Sequence, residues 1–134
     1  MAETKRKGDV GELKIMADIL SRGYKVAIPF GEDWSYDLIV VRDGKFEKVQ
    51  CKYVKSKNGA IEVPCRSCNN WKVSKYTSET VDWIAVYEPI SDICYYIPSS
   101  MLGEKGRAYI SLRILSAKSN QVKNIVWAKD FLEF

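Results

Sequence analysis

Four polar residues stand where the pattern of the chain predicts a core: Glu12 in a helix, and Asp37, Gln50 and Lys52 in two adjacent strands. Two carboxylates and an amide carbonyl are hard oxygen donors, which suit Mg²⁺. Lysine is a poor Mg²⁺ ligand, but it can orient or help deprotonate an attacking water and offset charge that develops at a phosphorus centre. Together, these residue types indicate metal-assisted phosphodiester hydrolysis.

The chain contains no histidine, which narrows the chemistry further. A triad built on histidine, a histidine general base and the usual zinc chemistry of hydrolases are excluded. Any catalysis must therefore rest on carboxylates, lysines, amides, tyrosines or thiols.

Three of the four residues fall in a predicted hairpin with strands over 36–42 and 45–54 and a turn at Asp43 and Gly44. A two-residue turn sets the register, which places Asp37 directly opposite Gln50 on one face of the sheet. Lys52 lies two residues beyond Gln50 and shares that face. A β-bulge would break this register.

The fourth residue lies on a helix predicted over 9–22, with Asp9 as its N-cap and Gly23 ending it. Its apolar face is expected to carry Val10, Leu13, Met16, Ala17 and Leu20, with Ile15 and Ile19 at the border. Glu12 falls inside the apolar arc, so we expect it to point toward the sheet face that carries Asp37. Two carboxylates beside a lysine, an amide and a divalent cation cost less to bury than one unpaired carboxylate.

Each residue also has a simpler interpretation. Glu12 could complete a capping box, and Asp37 could be an acid at a strand edge next to a loop. Gln50 and Lys52 could lie on the solvated side of a strand. Their convergence favours a site, because the strand register and the helical phase are independent observations.

The remaining pattern predicts an α plus β fold around one mainly antiparallel sheet. Further strands are predicted over 24–29, 61–64, 83–88, 93–98 and 109–115, with a helical turn over 99–102. Residues 65–80 are polar with interleaved aromatics, which favours an irregular or partly helical segment. The last ten residues fit either a helix or a strand.

Length and composition favour one domain with one core. The chain has 134 residues, of which 46% are hydrophobic and 28% are charged, as in ordinary globular proteins. The net charge of +4 permits a polyanionic partner without demanding one. No apolar run approaches the roughly 20 residues needed to span a bilayer, and no signal-peptide pattern opens the chain, so a cytoplasmic protein is expected.

The cysteines leave three states open. Cys65 and Cys68 form a C-x2-C pair, and only Cys51 and Cys94 remain as further zinc ligands. A structural zinc site and a Cys65–Cys68 disulfide are both less favoured than free or buried thiols.

The spacing of Glu12, Asp37 and Gln50-Cys51-Lys52 resembles the PD-(D/E)XK nuclease superfamily. The opening "KRKGDVGE" is similar to archaeal Holliday-junction resolvases, whereas "TVDWIAVYEPISDICYYIP", "ISLRI" and "NQVKNIVWAKDF" are similar to the group I intron homing endonucleases of that superfamily. The resemblance covers nearly the whole chain. It implies a single domain over 1–134 with a restriction-endonuclease-like α/β core: a helix, an antiparallel three-stranded meander and a further helix and strand, with one central mixed sheet.

The resemblance also implies roles for single residues. Glu12, Asp37, Gln50 and the Cys51 backbone carbonyl would be ligands of Mg²⁺, with Mn²⁺ as a substitute, and Lys52 would be the catalytic lysine. The substrate would be double-stranded DNA, cut by a homodimer or homotetramer. Gln50 replaces the usual acid, keeping a carbonyl oxygen but removing one negative charge, which should weaken metal binding. A Holliday-junction resolvase and a non-catalytic DNA-binding module that retains the fold are the alternatives.

Three groups of residues are candidates for DNA contacts, since cations pair with phosphates and amides read base edges. They are the N-terminal arm, the polar stretch after Cys65 and a segment near the C-terminus: Lys5, Arg6 and Lys7; Arg66, Asn69, Asn70, Lys72 and Lys75; Lys118, Gln121 and Lys123. A solvated terminus and ordinary surface loops are the alternatives.

Overall fold

The computed structural model describes residues 3–69, 72–115 and 125–134, with backbone alone at 68, 69 and 72. One α-helix, nine strands and two short 3-10 helices occur in these residues. They are α1 Glu3–Ser21, β1 Lys25–Ala27, β2 Leu38–Arg42, β3 Lys45–Tyr53, β4 Ala60–Pro64, β5 Arg66–Asn69, β6 Lys72–Lys75, β7 Trp83–Glu88, β8 Ile93–Pro98, β9 Tyr109–Arg113, and the 3-10 helices Ser99–Leu102 and Ala128–Phe131.

The five strands β1-β2-β3-β7-β8 form a mixed central sheet in that order. Strands β1 to β3 are an antiparallel meander, β3 pairs with β7 in parallel, and β7 pairs with β8 antiparallel. The expected central mixed sheet is therefore confirmed. Two additional two-stranded sheets, β4-β9 and β5-β6, correct the expectation that one sheet holds all the strands.

The predicted hairpin is confirmed from its turn outward. Asp43 and Gly44 both have positive φ, 50° and 71°, as a type I′ turn requires. The pairing runs from Arg42 opposite Lys45 to Leu38 opposite Val49, which is the predicted register.

The helix begins earlier than predicted, at Glu3 rather than Asp9. The basic residues at 5–7 are therefore helical and do not form an extended arm. Ion pairs one turn apart on this surface, Lys5 with Asp9 at 3.6 Å and Glu3 with Arg6 at 2.8 Å, favour the longer helix. It ends as predicted, since Gly23 has φ of +90° and donates to the Leu20 carbonyl.

Two hydrophobic clusters lie on opposite faces of the central sheet. Helix α1 covers one face, where Ile15 and Ile19 pack with Leu38, Val40 and Val49. The buried residues of α1 are Gly11, Ile15 and Ile19, so the predicted apolar face is wrong, and Leu13 and Leu20 are exposed. The second cluster joins the β7 and β8 side chains Ile84, Val86 and Ile97 to those of β4 and β9.

Alternation along β3 decides which face each candidate residue occupies. Val49 and Cys51 belong to the cluster under α1, so Gln50 and Lys52 lie on the other face. The expectation that α1 packs on the face that carries Gln50 and Lys52 is therefore wrong. The physical reason is that burying Leu38, Val40 and Val49 under the helix gains more than burying a face interrupted by an amide and an amine.

Residues 65–80 were expected to be irregular or partly helical, and this is wrong for Arg66–Asn69 and Lys72–Lys75. These residues form the antiparallel pair β5-β6, with Arg66 opposite Lys75. The base of this hairpin is closed by the Tyr76 amide, which donates to the Cys65 carbonyl at 3.0 Å, and both residues are buried. Burial at the base holds the two polar strands together.

The C-terminal segment adopts neither predicted form throughout. Trp127 makes a parallel bridge with Arg113, and a 3-10 helix follows over Ala128–Phe131. The terminal residue Phe134 packs against Tyr24, Trp83 and Tyr96. Among the helices of the described residues, none has the length and apolar character to cross a membrane.

Candidate active site

Asp37 lies just before β2, where that strand leaves β3. Its amide donates to the Val49 carbonyl at 2.9 Å, and its Oδ2 accepts from the Cys51 amide at 2.9 Å. The predicted pairing of Asp37 with Gln50 is therefore wrong, because the ladder shifts by one residue and Asp37 and Leu38 both oppose Val49, as in a β-bulge. The carboxylate instead lies in line with the sheet, since it accepts from a strand amide.

Glu12 approaches this strand end from α1. It lines an open cavity of about 270 Å³ together with Asp37 and the loop between Ile28 and Tyr36. The neighbouring Gly11 lets the helix come this close to β3, because a Cβ at Gly11 would lie 3.0 Å from the Cβ of Tyr53. Sequence reasoning overlooked Gly11, although a glycine beside a candidate ligand inside a helix is a signal of close packing.

The two carboxylates repel each other. Burial and the nearby charges of Asp37 and Asp9 raise the pKa of Glu12, and Lys5 partly opposes this. Burial also raises the pKa of Asp37, while the Cys51 amide and the Lys52 ammonium lower it. Both acids thus occupy an environment that a further cation would make more favourable.

Lys52 lies near Asp37 from the other face of the sheet. Burial lowers the pKa of Lys52, and the charge of Asp37 opposes that effect. Its Nζ donates to the Arg66 carbonyl and to the Tyr76 hydroxyl oxygen, both at 3.4 Å. Carboxylate and ammonium are therefore close enough to influence each other without a direct ion pair.

Gln50 is half-buried on β3, paired with Ile84 of β7. Its side-chain amide makes no hydrogen bond with the described residues, which leaves the side-chain oxygen available. Among the described residues, no hydrogen bond links the Gln50 side chain to Glu12 or Asp37, so the role of Gln50 as a metal ligand stays a prediction. The described residues also contain no group of three or more acids, cysteines or histidines placed to hold a metal.

Cys51 presents its backbone, not its thiol, to the site. Its amide faces Asp37, and in a strand the carbonyl of a residue points to the same side as its amide. Burial and the charges of Asp37 and Glu12 raise the pKa of the Cys51 thiol, so the thiol stays protonated. Cys51, Cys65 and Cys94 are free thiols, and Cys65 donates to the Val63 carbonyl. The side chain of Cys68 lies outside the described part of the chain.

The candidate DNA contacts are only partly described. Arg66 and Lys75 lie opposite each other on the β5-β6 hairpin. Lys5 and Arg6 make ion pairs along α1. The side chains at 69 and 72 and all of 70, 118, 121 and 123 lie outside the described residues.

A family model for PD-(D/E)XK endonucleases matches residues 2–134. This chain belongs to the PD-(D/E)XK endonuclease family. Among solved structures, the PD-(D/E)XK endonuclease described here is similar to a bacterial homing endonuclease, I-Ssp6803I, with a TM-score of 0.68 and 26% sequence identity. That similarity covers 91% of this chain and 84% of the other. A search of curated proteins gave no match.

The family and the structural relative confirm the restriction-endonuclease-like fold that the sequence resemblance implied. The further helix expected after the meander is wrong for the described residues, where β4, β5 and β6 lie between β3 and β7. In this endonuclease the helix, the meander and the parallel β7 strand bring Glu12, Asp37 and Lys52 toward one end of β3. The arrangement combines two carboxylates that line an open cavity with a partly desolvated ammonium near Asp37.

Proposed function

We propose that this PD-(D/E)XK endonuclease is a Mg²⁺-dependent enzyme that hydrolyses phosphodiester bonds in double-stranded DNA, acting as a site-specific homing endonuclease. The observation that carries the proposal is the position of Asp37, which interacts with Glu12 from one sheet face and with Lys52 from the other. The likeness to a bacterial homing endonuclease over 91% of the chain supports the finer assignment.

The donor set fits a hard divalent cation. Asp37 uses one carboxylate oxygen for the Cys51 amide and keeps the other available, and its repulsion with Glu12 favours a cation between them. The proposed ligands are Glu12, Asp37, Gln50 and the Cys51 carbonyl. When bound, Mg²⁺, or Mn²⁺ in its place, would neutralise charge on the phosphate and activate the attacking water.

The residues of the chain supply orientation and charge. The Cys51 amide fixes the Asp37 carboxylate at the strand end. Lys52 places its ammonium in a partly desolvated position, where a charge acts more strongly than in water. In this role Lys52 orients the attacking water and offsets the negative charge of the transition state.

The proposed DNA surface extends from the site along the β5-β6 hairpin. Arg66 and Lys75 are directly opposed cations, an arrangement that is unfavourable by itself and favourable beside phosphates. Asn69 and Lys72 lie opposite each other at the other end of these two strands. Asn70, the helical Lys5, Arg6 and Lys7 and the 118–123 segment remain part of the proposal.

We also propose that the 134-residue domain works as a homodimer or homotetramer, since one active site cuts one strand. Val10, Leu13 and Leu20 are spaced by three and seven residues on α1 and are 39%, 63% and 53% exposed, so they form an apolar stripe. Leu13→Glu should lower the oligomer mass measured by sedimentation. The unpaired Lys7→Glu is the matched helix control, and an unchanged mass in both variants would contradict the role of the stripe.

A cytoplasmic location is part of the same proposal and agrees with three free thiols.

The test is metal-dependent cleavage of supercoiled plasmid that carries a target selected from a random duplex library. Wild type should cut with Mg²⁺ and should not cut with EDTA, and Lys52→Ala should be inactive. Preference for four-way junctions over linear duplex would indicate a resolvase instead. DNA binding with no cleavage under any metal would indicate a non-catalytic module.

A further inference from the structure

The ammonium of Lys52 is held by the base of the β5-β6 hairpin. Its Nζ donates to the Arg66 carbonyl and to the Tyr76 hydroxyl, and it lies 5.0 Å from the centre of the Tyr76 ring. Arg66 begins β5 and Tyr76 directly follows β6, so both contacts come from the point where the two strands meet. A lysine side chain is a flexible four-carbon stem, and such contacts limit where its charge can lie.

We propose that Tyr76 is a positioning residue, which holds the Lys52 ammonium toward the Asp37 end of β3. The inference rests on the proposed function, in which Lys52 acts during cleavage. Tyr76 is suited to this role because it is 4% exposed and packed in the second core cluster. Its ring cannot move independently of the core, so its hydroxyl is a fixed acceptor.

The groups around Lys52 come from three elements. Asp37, just before β2, carries the negative charge that favours the ammonium. The Cys65 thiol, just before β5, donates to the Val63 carbonyl, and burial raises its pKa, so it is neutral. Burial opposes the effect of Asp37 and lowers the pKa of Lys52. The Tyr76 hydroxyl, which follows β6, accepts from the ammonium and thus also favours the charged form.

The same contact links the two halves of the proposed mechanism. The β5-β6 hairpin presents Arg66 and Lys75 for phosphate binding, and its base holds Lys52 through Tyr76. The segment that contacts DNA is therefore also the segment that places the catalytic ammonium.

The experiment compares Tyr76→Phe with Tyr95→Phe, which also removes a hydroxyl from a buried tyrosine of the same core cluster. Lysine is labelled with ¹³C at Cε, and NMR relaxation at one fixed pH measures how restrained the Lys52 side chain is in the metal-free protein. The Lys52 signal is identified by its loss in Lys52→Ala. Single-turnover cleavage is then measured at saturating DNA and Mg²⁺. Circular dichroism confirms that both variants, which keep their rings, are folded.

Tyr76→Phe should lower the NMR order parameter of the Lys52 Cε group toward that of an exposed lysine and slow cleavage about ten-fold. Tyr95→Phe should change neither quantity. An unchanged Lys52 order parameter in Tyr76→Phe would overturn the inference, even if cleavage is slower. A Lys52→Ala variant that cuts like wild type would instead overturn the proposed function, while the order parameter would still decide whether Tyr76 holds Lys52.

Discussion

Asp37→Asn separates the charge of the strand-end carboxylate from its shape. The amide oxygen of asparagine can still accept from the Cys51 amide, which now donates to Asp37 at 2.9 Å, so the strand end should keep its geometry. The change removes the negative charge that helps to raise the pKa of Glu12, and it removes the buried charge at position 37 whose desolvation raises the pKa of Asp37. Because a charged ligand is replaced by a neutral one, Asp37→Asn should abolish cation binding while leaving the fold intact.

The sign of the stability change follows from those pKa values. Because the pKa values of Glu12 and Asp37 are raised in the folded protein, the folded state binds protons more readily than the unfolded state. Without a divalent cation, the free energy of unfolding then falls as pH rises from the ordinary pKa values through the raised ones. At neutral pH in EDTA, Asp37→Asn should be at least as stable as wild type.

With Mg²⁺ present, wild type should gain stability that Asp37→Asn does not gain. A ligand at ten times its Kd stabilises the folded state by about 1.4 kcal/mol, which for a domain of this size raises Tm by about 3–6 °C. Wild type should show this increase in a thermal unfolding scan with Mg²⁺ and no DNA. Asp37→Asn should show none, and cleavage should fall by about 10³-fold, as on removal of one preorganised charge.

The control is Glu104→Gln, which removes an exposed carboxylate away from the cavity and should behave like wild type. DNA binding by Asp37→Asn, measured by fluorescence anisotropy, should persist or become tighter because a negative charge is lost near phosphate. If Asp37→Asn gains the same Tm with Mg²⁺ and cuts like wild type, the strand end is only a structural cap and the reasoning is wrong.

Gln50→Glu should remain active and need less Mg²⁺ for half-maximal cleavage, whereas Gln50→Ala should need more; identical Mg²⁺ curves would remove Gln50 from the ligands. Gly11→Ala should slow cleavage about ten-fold, because its Cβ would meet β3 at 3.0 Å and shift the helix. Gly8→Ala, with nothing within 4 Å, is the matched control and should stabilise the helix by about 0.8–1 kcal/mol. Replacing Arg66 and Lys75 with Gln should flatten the log–log salt dependence of DNA binding by about 0.9 per lost contact; an unchanged slope would place the DNA elsewhere.

The sequence alone determined the parts of this protein that depend on neighbours along the chain. Asp43 and Gly44 determine a type I′ turn, and that turn sets the pairing of β2 with β3. Gly23 determines where α1 ends. The types of Glu12, Asp37 and Lys52 limited the chemistry, because carboxylates and a lysine in apolar segments are costly unless they are used together.

Tertiary structure decided the features that depend on distant segments. The alternation of side chains along β3 can be predicted from the sequence, but only the packing of Ile15 and Ile19 decided which face of the sheet α1 covers. The one-residue shift at Asp37 arises because its carboxylate accepts a hydrogen bond from the Cys51 amide, at a point before β2 where the regular pairing with β3 has ended.

The environment of Lys52 was also decided by tertiary structure. The parallel pairing of β3 with β7 and the fold-back of β5-β6 bring Tyr76 to Lys52, although 23 positions lie between them in the chain. The contact forms because the core closes around Tyr76 and Cys65, which are buried at the base of the hairpin. The local sequence pattern does not predict this contact, because the free energy that drives it comes from burying side chains contributed by separate elements.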